Sequence, residues 1–353
     1  MASLKTRPAT GPMVAPATGG TARGWLGLPV QRWRQLTQAG FFTLFILAPV
    51  FDIFRLDLNL KHFIFFGLDW TLGLDDFLAG RADALEASLN LVLRGFLPLL
   101  AIGATLIYVS WKWGRLYCGW LCPHFSIVET INQTLRRAIG KQSLWDPKPL
   151  PTRNPDGSDT RPDALWWFGV VPLVICCSML WALVLLTYLL PPAEIYGNLW
   201  HGTLTRNQSV FLVAGSLAFF VEFMFARHLF CRYACAVGLF QSLAWMANDK
   251  AMVVGFSRGR AKDCSTCYSA CDHVCPMRLT PRNVKRMMFA CVQCGQCVDA
   301  CDHTQETNPN GSLLDWVQNQ RAESEASFNI NTARTIMLKQ ASNDAAKPGR
   351  MES

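Results

Sequence analysis

Four long apolar stretches, near residues 38 to 55, 90 to 111, 165 to 190 and 209 to 226, constrain this 353-residue chain more than any other feature. Each has roughly the length of about 20 residues that crosses a hydrocarbon core. Inside lipid a segment must satisfy its own backbone hydrogen bonds, so these stretches are expected to be helices. Pro98 and Pro172 fall within two of them, where membrane helices tolerate kinks. With 16% charged residues, 51% hydrophobic residues and 13 tryptophans, the composition also fits a membrane protein.

Charge sets the expected orientation. The loop from Arg55 to Ser88 carries Asp57, Asp69, Asp75, Asp76, Asp83 and Glu86 against Arg55, Lys61 and Arg81, and reads as outside. The next loop holds Lys112, Arg115, Arg136, Arg137, Lys141, Lys148, Arg153 and Arg161, and reads as inside. Both termini then fall in the cytoplasm of a bacterium, with the chain in the inner membrane. The net charge of +8 is accounted for by this asymmetry, and no aromatic-interleaved basic stripe points to nucleic acid. Within the outer loop, His62 to Leu68 is apolar but too short to cross, and is expected at the interface. The first apolar stretch starts late, near Ala39, which argues against a cleavable signal.

The expected organisation has four parts. Residues 1–37, basic and rich in Ala, Pro, Gly and Thr, read as a disordered cytoplasmic tail. Residues 38–245 form a mainly α, polytopic membrane domain of about four transmembrane helices. Residues 246–317 form a cytoplasmic segment like a two-cluster bacterial ferredoxin, and 318–353 form a polar tail.

That third part rests on cysteines. Of 14 in the chain, eight crowd into residues 264 to 301 as CSTCYSACDHVCP and CVQCGQCVDACD. Bacterial two-cluster ferredoxins repeat C-x2-C-x2-C-x3-C-P, and the fourth cysteine of each run serves the other cluster. One 4Fe-4S cluster is thus expected on Cys264, Cys267, Cys271 and Cys301, and a second on Cys291, Cys294, Cys297 and Cys275. The second run keeps the standard spacing. Tyr268, Ser269 and Ala270 put one extra residue into the first run, and Asp302 stands where proline is usual. Structural zinc on four-cysteine sites is the alternative, but ribbons use separated C-x2-C pairs without the C-x3-C-P ending.

Two more pairs lie where spans end: Cys118 and Cys122 in WGRLYCGWLCP, and Cys231 and Cys235 in HLFCRYACA. Spacing of i, i+4 puts both thiols of a pair on one helix face. Such soft ligands suit copper(I), a further iron-sulfur cluster or dithiol chemistry, and small buried thiols can also be mere packing. Cys176 and Cys177, mid-span, read as packing residues.

With these motifs the chain resembles the membrane-bound polyferredoxin group, which includes NapH, the membrane part of NosR and the FixG/RdxA/CcoG proteins. The resemblance runs over roughly residues 38 to 317. The stretch from Cys231 through Phe240, Gln241, Ser242, Asp249, Lys250, Val253 and Val254 to Cys264, with Pro309, Asn310, Gly311 and Leu314, is most similar to the CcoG type. That likeness implies electron transfer, with reduction of copper(II) to copper(I) for assembly of haem-copper oxidases. The NapH and NosR likeness implies instead a relay between quinol and a reductase, and a scaffold with structural metal is a third reading. Three departures stand out: a polar tail where CcoG-type proteins continue with a span and a further domain, Ala236 in place of proline, and the extra residue before Cys271.

Ionisable residues near span ends, Asp52, Arg94 and Glu222, are candidates for proton handling. His124, His273 and His303 adjoin the cysteine motifs. The sequence has no C-x-x-C-H, Walker or dinucleotide motif, so electrons are expected from a redox partner protein or from a lipid-soluble quinol.

Overall fold

The computed structural model describes residues 29–327 of the protein. Most of the expected N-terminal tail, and residues 328–353 of the expected C-terminal tail, lie outside the described residues.

Among the described residues, three helices are long and apolar enough to cross a membrane: Ala84–Trp113, Ala164–Thr187 and Arg206–Ala226. The first turns its apolar side chains outward, with Leu99, Leu100 and Ile102 about two-thirds exposed, as a lipid-facing helix does. It also has a built-in wide turn at Leu91–Phe96. Pro98 has no N–H to give the Arg94 carbonyl one turn earlier, so the ladder opens there. The Trp70 indole fills the gap, donating to that carbonyl at 3.0 Å. The second span is the central one, burying Val170, Val174, Ser178, Trp181 and Ala182. It packs on the third span, where Gly215 would set a β-carbon 3.3 Å from that of Ala182. Small residues at such a contact let two helices approach closely. The third span opens with a reciprocal cap between Thr205 and Gln208.

The stretch near 38 to 55 belongs to an N-terminal helix, Val30–Val50, that starts earlier than expected. Residues 30–37 are therefore helical, a correction to the tail boundary at 37. Its polar first turns explain why it is not among the three apolar spans, and also why it folds. Arg34 is buried and pairs with Glu129 at 2.5 Å, Gln31 donates to the Cys294 carbonyl at 3.0 Å, and Gln38 donates to the Gly119 carbonyl at 3.2 Å. At its far end the Phe45 carbonyl accepts from the Tyr188 hydroxyl at 2.8 Å, just past the end of the second span. The helix thus runs alongside that span from the cysteine-rich body to the opposite side.

On that opposite side, β1 (Phe54–Asp57), β2 (His62–Phe65) and β3 (Leu68–Trp70) form an antiparallel meander. The apolar segment 62 to 68 is thus strand and turn, reversing through Phe66 and Gly67 at positive φ. Arg55 holds it by bridging Asp52 and Asp57 at 2.5 and 2.7 Å. Backbone bonds from Leu56 and Leu58 to the carbonyls of Tyr188 and Leu189 dock it on the second span.

The cysteine-rich body is built on β4 (Val253–Phe256) paired antiparallel with β5 (Leu314–Val317). Two short helices, Ala270–His273 and Gln296–Thr304, pack on each other beside this ribbon. A further helix, Gln320–Ser327, returns to β4 and is held by Arg258 and Glu325 at 2.5 Å. The body therefore extends past the expected boundary at 317. It is fastened to the membrane part by Lys285, whose buried ammonium donates to the carbonyls of Trp245 and Asn248.

Candidate iron-sulfur centres

Cys264, Cys267, Cys271 and Cys301 line one pocket with Phe256, Leu313 and Leu314. The extra residue of the first run is absorbed at Ser269, which takes a left-handed conformation, φ 59°, and opens the Ala270–His273 helix. Its hydroxyl accepts from Arg282, which also pairs with Asp272. The insertion is thus a local bulge, and Cys271 still reaches the pocket. The Leu313 N–H points at the Cys301 sulfur, 3.4 Å away. Burial pushes the Cys271 thiol up to about 12, with Asp272 adding to the effect.

Of the second expected set, Cys275, Cys291 and Cys294 pack in one cluster with Val292, and Cys297 is buried. Gln293 and Gly295, both at positive φ, wind the second run so that its thiols face inward. The Leu279 N–H lies 3.4 Å from the Cys275 sulfur. Burial raises Cys291 and Cys294 to about 12, and raises Cys275 and Cys297 as well. Such thiols stay protonated at neutral pH, so loading a metal here must release protons.

The two membrane-edge pairs, 109 or more residues apart in sequence, converge on one cavity of about 420 Å³. Cys118 lies on the short helix Leu116–Trp120, and Cys122 caps the helix Pro123–Ile139. Cys231 sits on a wide helical turn, Phe230–Ala234, and Cys235 caps Ala236–Met246, its sulfur 3.4 Å from the Gly238 N–H. Burial lifts Cys122 to about 11 and raises Cys118 and Cys231 too. Arg115, almost fully buried, reaches the same cavity; its Nη2 donates to the Cys231 carbonyl at 2.8 Å and lies 3.9 Å from the Cys118 sulfur. Its Nε and Nη1 have no hydrogen-bond partner.

The membrane-edge cavity abuts the second thiol group. Val292, next to Cys291, lines it. Gly119, between Cys118 and Cys122, lets the backbones touch: a β-carbon there would fall 2.1 Å from the Val292 carbonyl oxygen. Trp120 donates to the Gln293 carbonyl at 3.0 Å. Cys297 in turn packs in one buried cluster with Cys271 and Cys301 of the first group. Sequence reasoning used Arg115 only as a marker of orientation and did not single out Gly119, Trp120 or Gly238; the only signal for their role at the site is their place beside the cysteines.

Among the described residues, no three His, Cys, Asp or Glu side chains converge on one point as a single metal ion demands. The thiols instead surround spaces. A cluster fits that donor set, since each thiolate binds its own iron, and the orphaned N–H groups of Arg115 suit an anionic occupant.

The other candidates separate. Glu222 and His124 meet in the same cavity, 3.3 Å apart. Asp52 lies on the far side, held by Arg55, away from every thiol group. Arg94 is exposed near the start of the first span. The His273 carbonyl accepts from Gln142, and His303 lies 4.0 Å from Asp299, on a polar cleft that also reaches Pro276. Cys176 is exposed and Cys177 half-buried within the second span.

A family model described as a 4Fe-4S binding domain matches residues 94–142 and 208–257. These two stretches carry the membrane-edge pairs, not the run from Cys264 to Cys301. Ferredoxin-type protein NapH of Haemophilus influenzae is 22% identical over 271 residues, covering 75% of this chain and 84% of its own. Regulatory protein NosR of Pseudomonas aeruginosa is 26% identical over 191 residues, 51% of this chain but 24% of its own. An uncharacterized protein of Methanocaldococcus jannaschii is 24% identical over 207 residues, 58% of this chain and 77% of its own. No solved structure matches. These matches support an iron-sulfur electron-transfer protein of the membrane polyferredoxin group. They do not extend to the CcoG type, and they lend no support to copper.

Proposed function

We propose that the chain is a membrane-anchored electron relay with three 4Fe-4S sites in line. The sites are Cys118, Cys122, Cys231 and Cys235 at the membrane edge, then Cys275, Cys291, Cys294 and Cys297, then Cys264, Cys267, Cys271 and Cys301. One observation carries this reading: the cavity between the two segments that match a 4Fe-4S domain is walled by four thiols and by Val292, the neighbour of Cys291. When bound, the clusters supply one-electron transfer at potentials tuned by charge, hydrogen bonds and burial.

The protein's own part is to hold and isolate. Trp181, Phe219 and Phe230 keep water from the membrane-edge thiols, while Gly119 and Trp120 press the next site against them. The N–H groups of Gly238, Leu279 and Leu313 point at one sulfur in each set, a contact that favours the reduced state. The N-terminal helix, running beside the second span, supplies a fourth crossing, which puts residue 29 and the body on one side, read as cytoplasmic. A lipid-soluble quinol on the membrane side and a soluble redox partner at the body complete the path. Glu222 and His124 face the membrane-edge cavity where a quinol would give up protons.

Iron and sulfide counting on anaerobically purified protein, with low-temperature electron paramagnetic resonance, tests this. The expected content is about twelve irons per chain, four per cluster. Replacing Cys118 and Cys231 by Ala should remove a third of it. A second reading, a copper(II) reductase serving oxidase assembly, draws on the soft thiols and His124 in one cavity. It predicts about eight irons, with bound copper that the same two replacements abolish.

A further inference from the structure

Arg115 is a buried cation without an ionic partner: the residue is 1% exposed, its Nε and Nη1 have no hydrogen-bond acceptor, and no carboxylate pairs with it among the described residues. A desolvated charge left in this state is unfavourable unless an anion answers it. The surroundings preserve it all the same. At Gly238 a β-carbon would fall 2.2 Å from Nη2, so glycine there makes the room the guanidinium needs. The guanidinium touches the membrane-edge set, with Nη2 2.8 Å from the Cys231 carbonyl and 3.9 Å from the Cys118 sulfur, and it shares its cavity with Val292, the neighbour of Cys291 in the next group. The pocket of Cys264 and Cys271 is lined by a different cation, Arg282.

We propose that Arg115, which lines the membrane-edge cavity together with Val292, is a shared counter-charge for the membrane-edge site and the Cys291 site, raising the reduction potential of both. This rests on the iron-sulfur reading of those cysteine sets. Four thiolates around a cluster leave net negative charge, and an added electron increases it. A cation held in a low-dielectric site favours that added charge. Arg115 is thus a positioning residue for potential, sharing its field between neighbouring centres.

Redox titration of the holoprotein in detergent, followed by electron paramagnetic resonance, tests this, with signals assigned through Cys118→Ala and Cys264→Ala variants. In Arg115→Gln the midpoints of the membrane-edge and Cys291 signals should both fall. The expected shift is about tenfold in the reduced-to-oxidised ratio at fixed potential, about 59 mV for a one-electron couple. The Cys264 signal should stay in place, and Arg115→Lys should restore most of the shift. Unmoved midpoints in loaded Arg115→Gln overturn the proposal, as does an equal shift of all three signals. If Arg115→Gln does not load, Gly238→Ala decides, because its new methyl must displace the guanidinium; the same two signals should move and the third should not. Failure of the underlying reading looks different: the wild-type protein then shows no iron signal that depends on Cys118.

Discussion

At Gly119 the absence of a side chain lets the irregular segment carrying Val292 lie against the helix that carries Cys118. Gly119→Ala forces the two apart, at about 1–3 kcal/mol by analogy with overpacked cores. Thermal melts should show the loss, and iron should leave the Cys291 set before the Cys264 set; an unchanged melt with full iron would mean the two backbones do not touch. His228 gives a second prediction. Burial, with Arg227 and Arg278 nearby, pushes its pKa down to about 4 from 6.5. Between those values the unfolded chain binds more protons, so stability is full above pH 6.5 and declines as pH falls toward 4, by on the order of 3 kcal/mol. Denaturant melts from pH 7.5 to 4.5 should show this slope, and His228→Gln should flatten it. The cysteines were legible in sequence because spacing alone betrays them, whereas Gly119 and His228 matter only through neighbours far along the chain.

Among elements, the N-terminal helix depends most on distant partners. Its buried Arg34 is answered by Glu129, which also takes hydrogen bonds from Gln38 and Gln296. Glu129→Ala leaves that arginine buried and unpaired and should cost about 3–5 kcal/mol. The double change Arg34→Met with Glu129→Leu should recover most of it, since apolar side chains of similar size need no counter-charge. Chemical denaturation of the three variants in detergent checks this; a double variant as weak as the single one would deny the pair its structural role. The helix was legible from residue 38 onward, where its apolar residues begin. Residues 30–37 read as tail because Gln31 and Arg34 look solvent-loving until the Cys294 carbonyl and Glu129 are seen beside them.

At the scale of the whole molecule, the meander of β1 to β3 and the cysteine-rich body lie at opposite ends of the second span. Fusions that report on sidedness should therefore disagree. A phosphatase inserted at Gly67 should be active outside, and a fluorescent protein inserted at Gly157 should fluoresce inside; the reverse pattern would invert the proposed orientation. The sequence by itself determined that the chain has helices long and apolar enough to cross a membrane and two ferredoxin-type cysteine runs, because hydropathy and ligand spacing are local properties. Only the tertiary structure decided that the two membrane-edge pairs share one cavity, that Val292, the neighbour of Cys291, lines it, and that Arg115 reaches into it. Those facts depend on how the first and third spans end beside each other, and on glycines at positions 119 and 238 that let backbone and guanidinium come close. Contacts across so many residues leave no periodicity in the sequence to read.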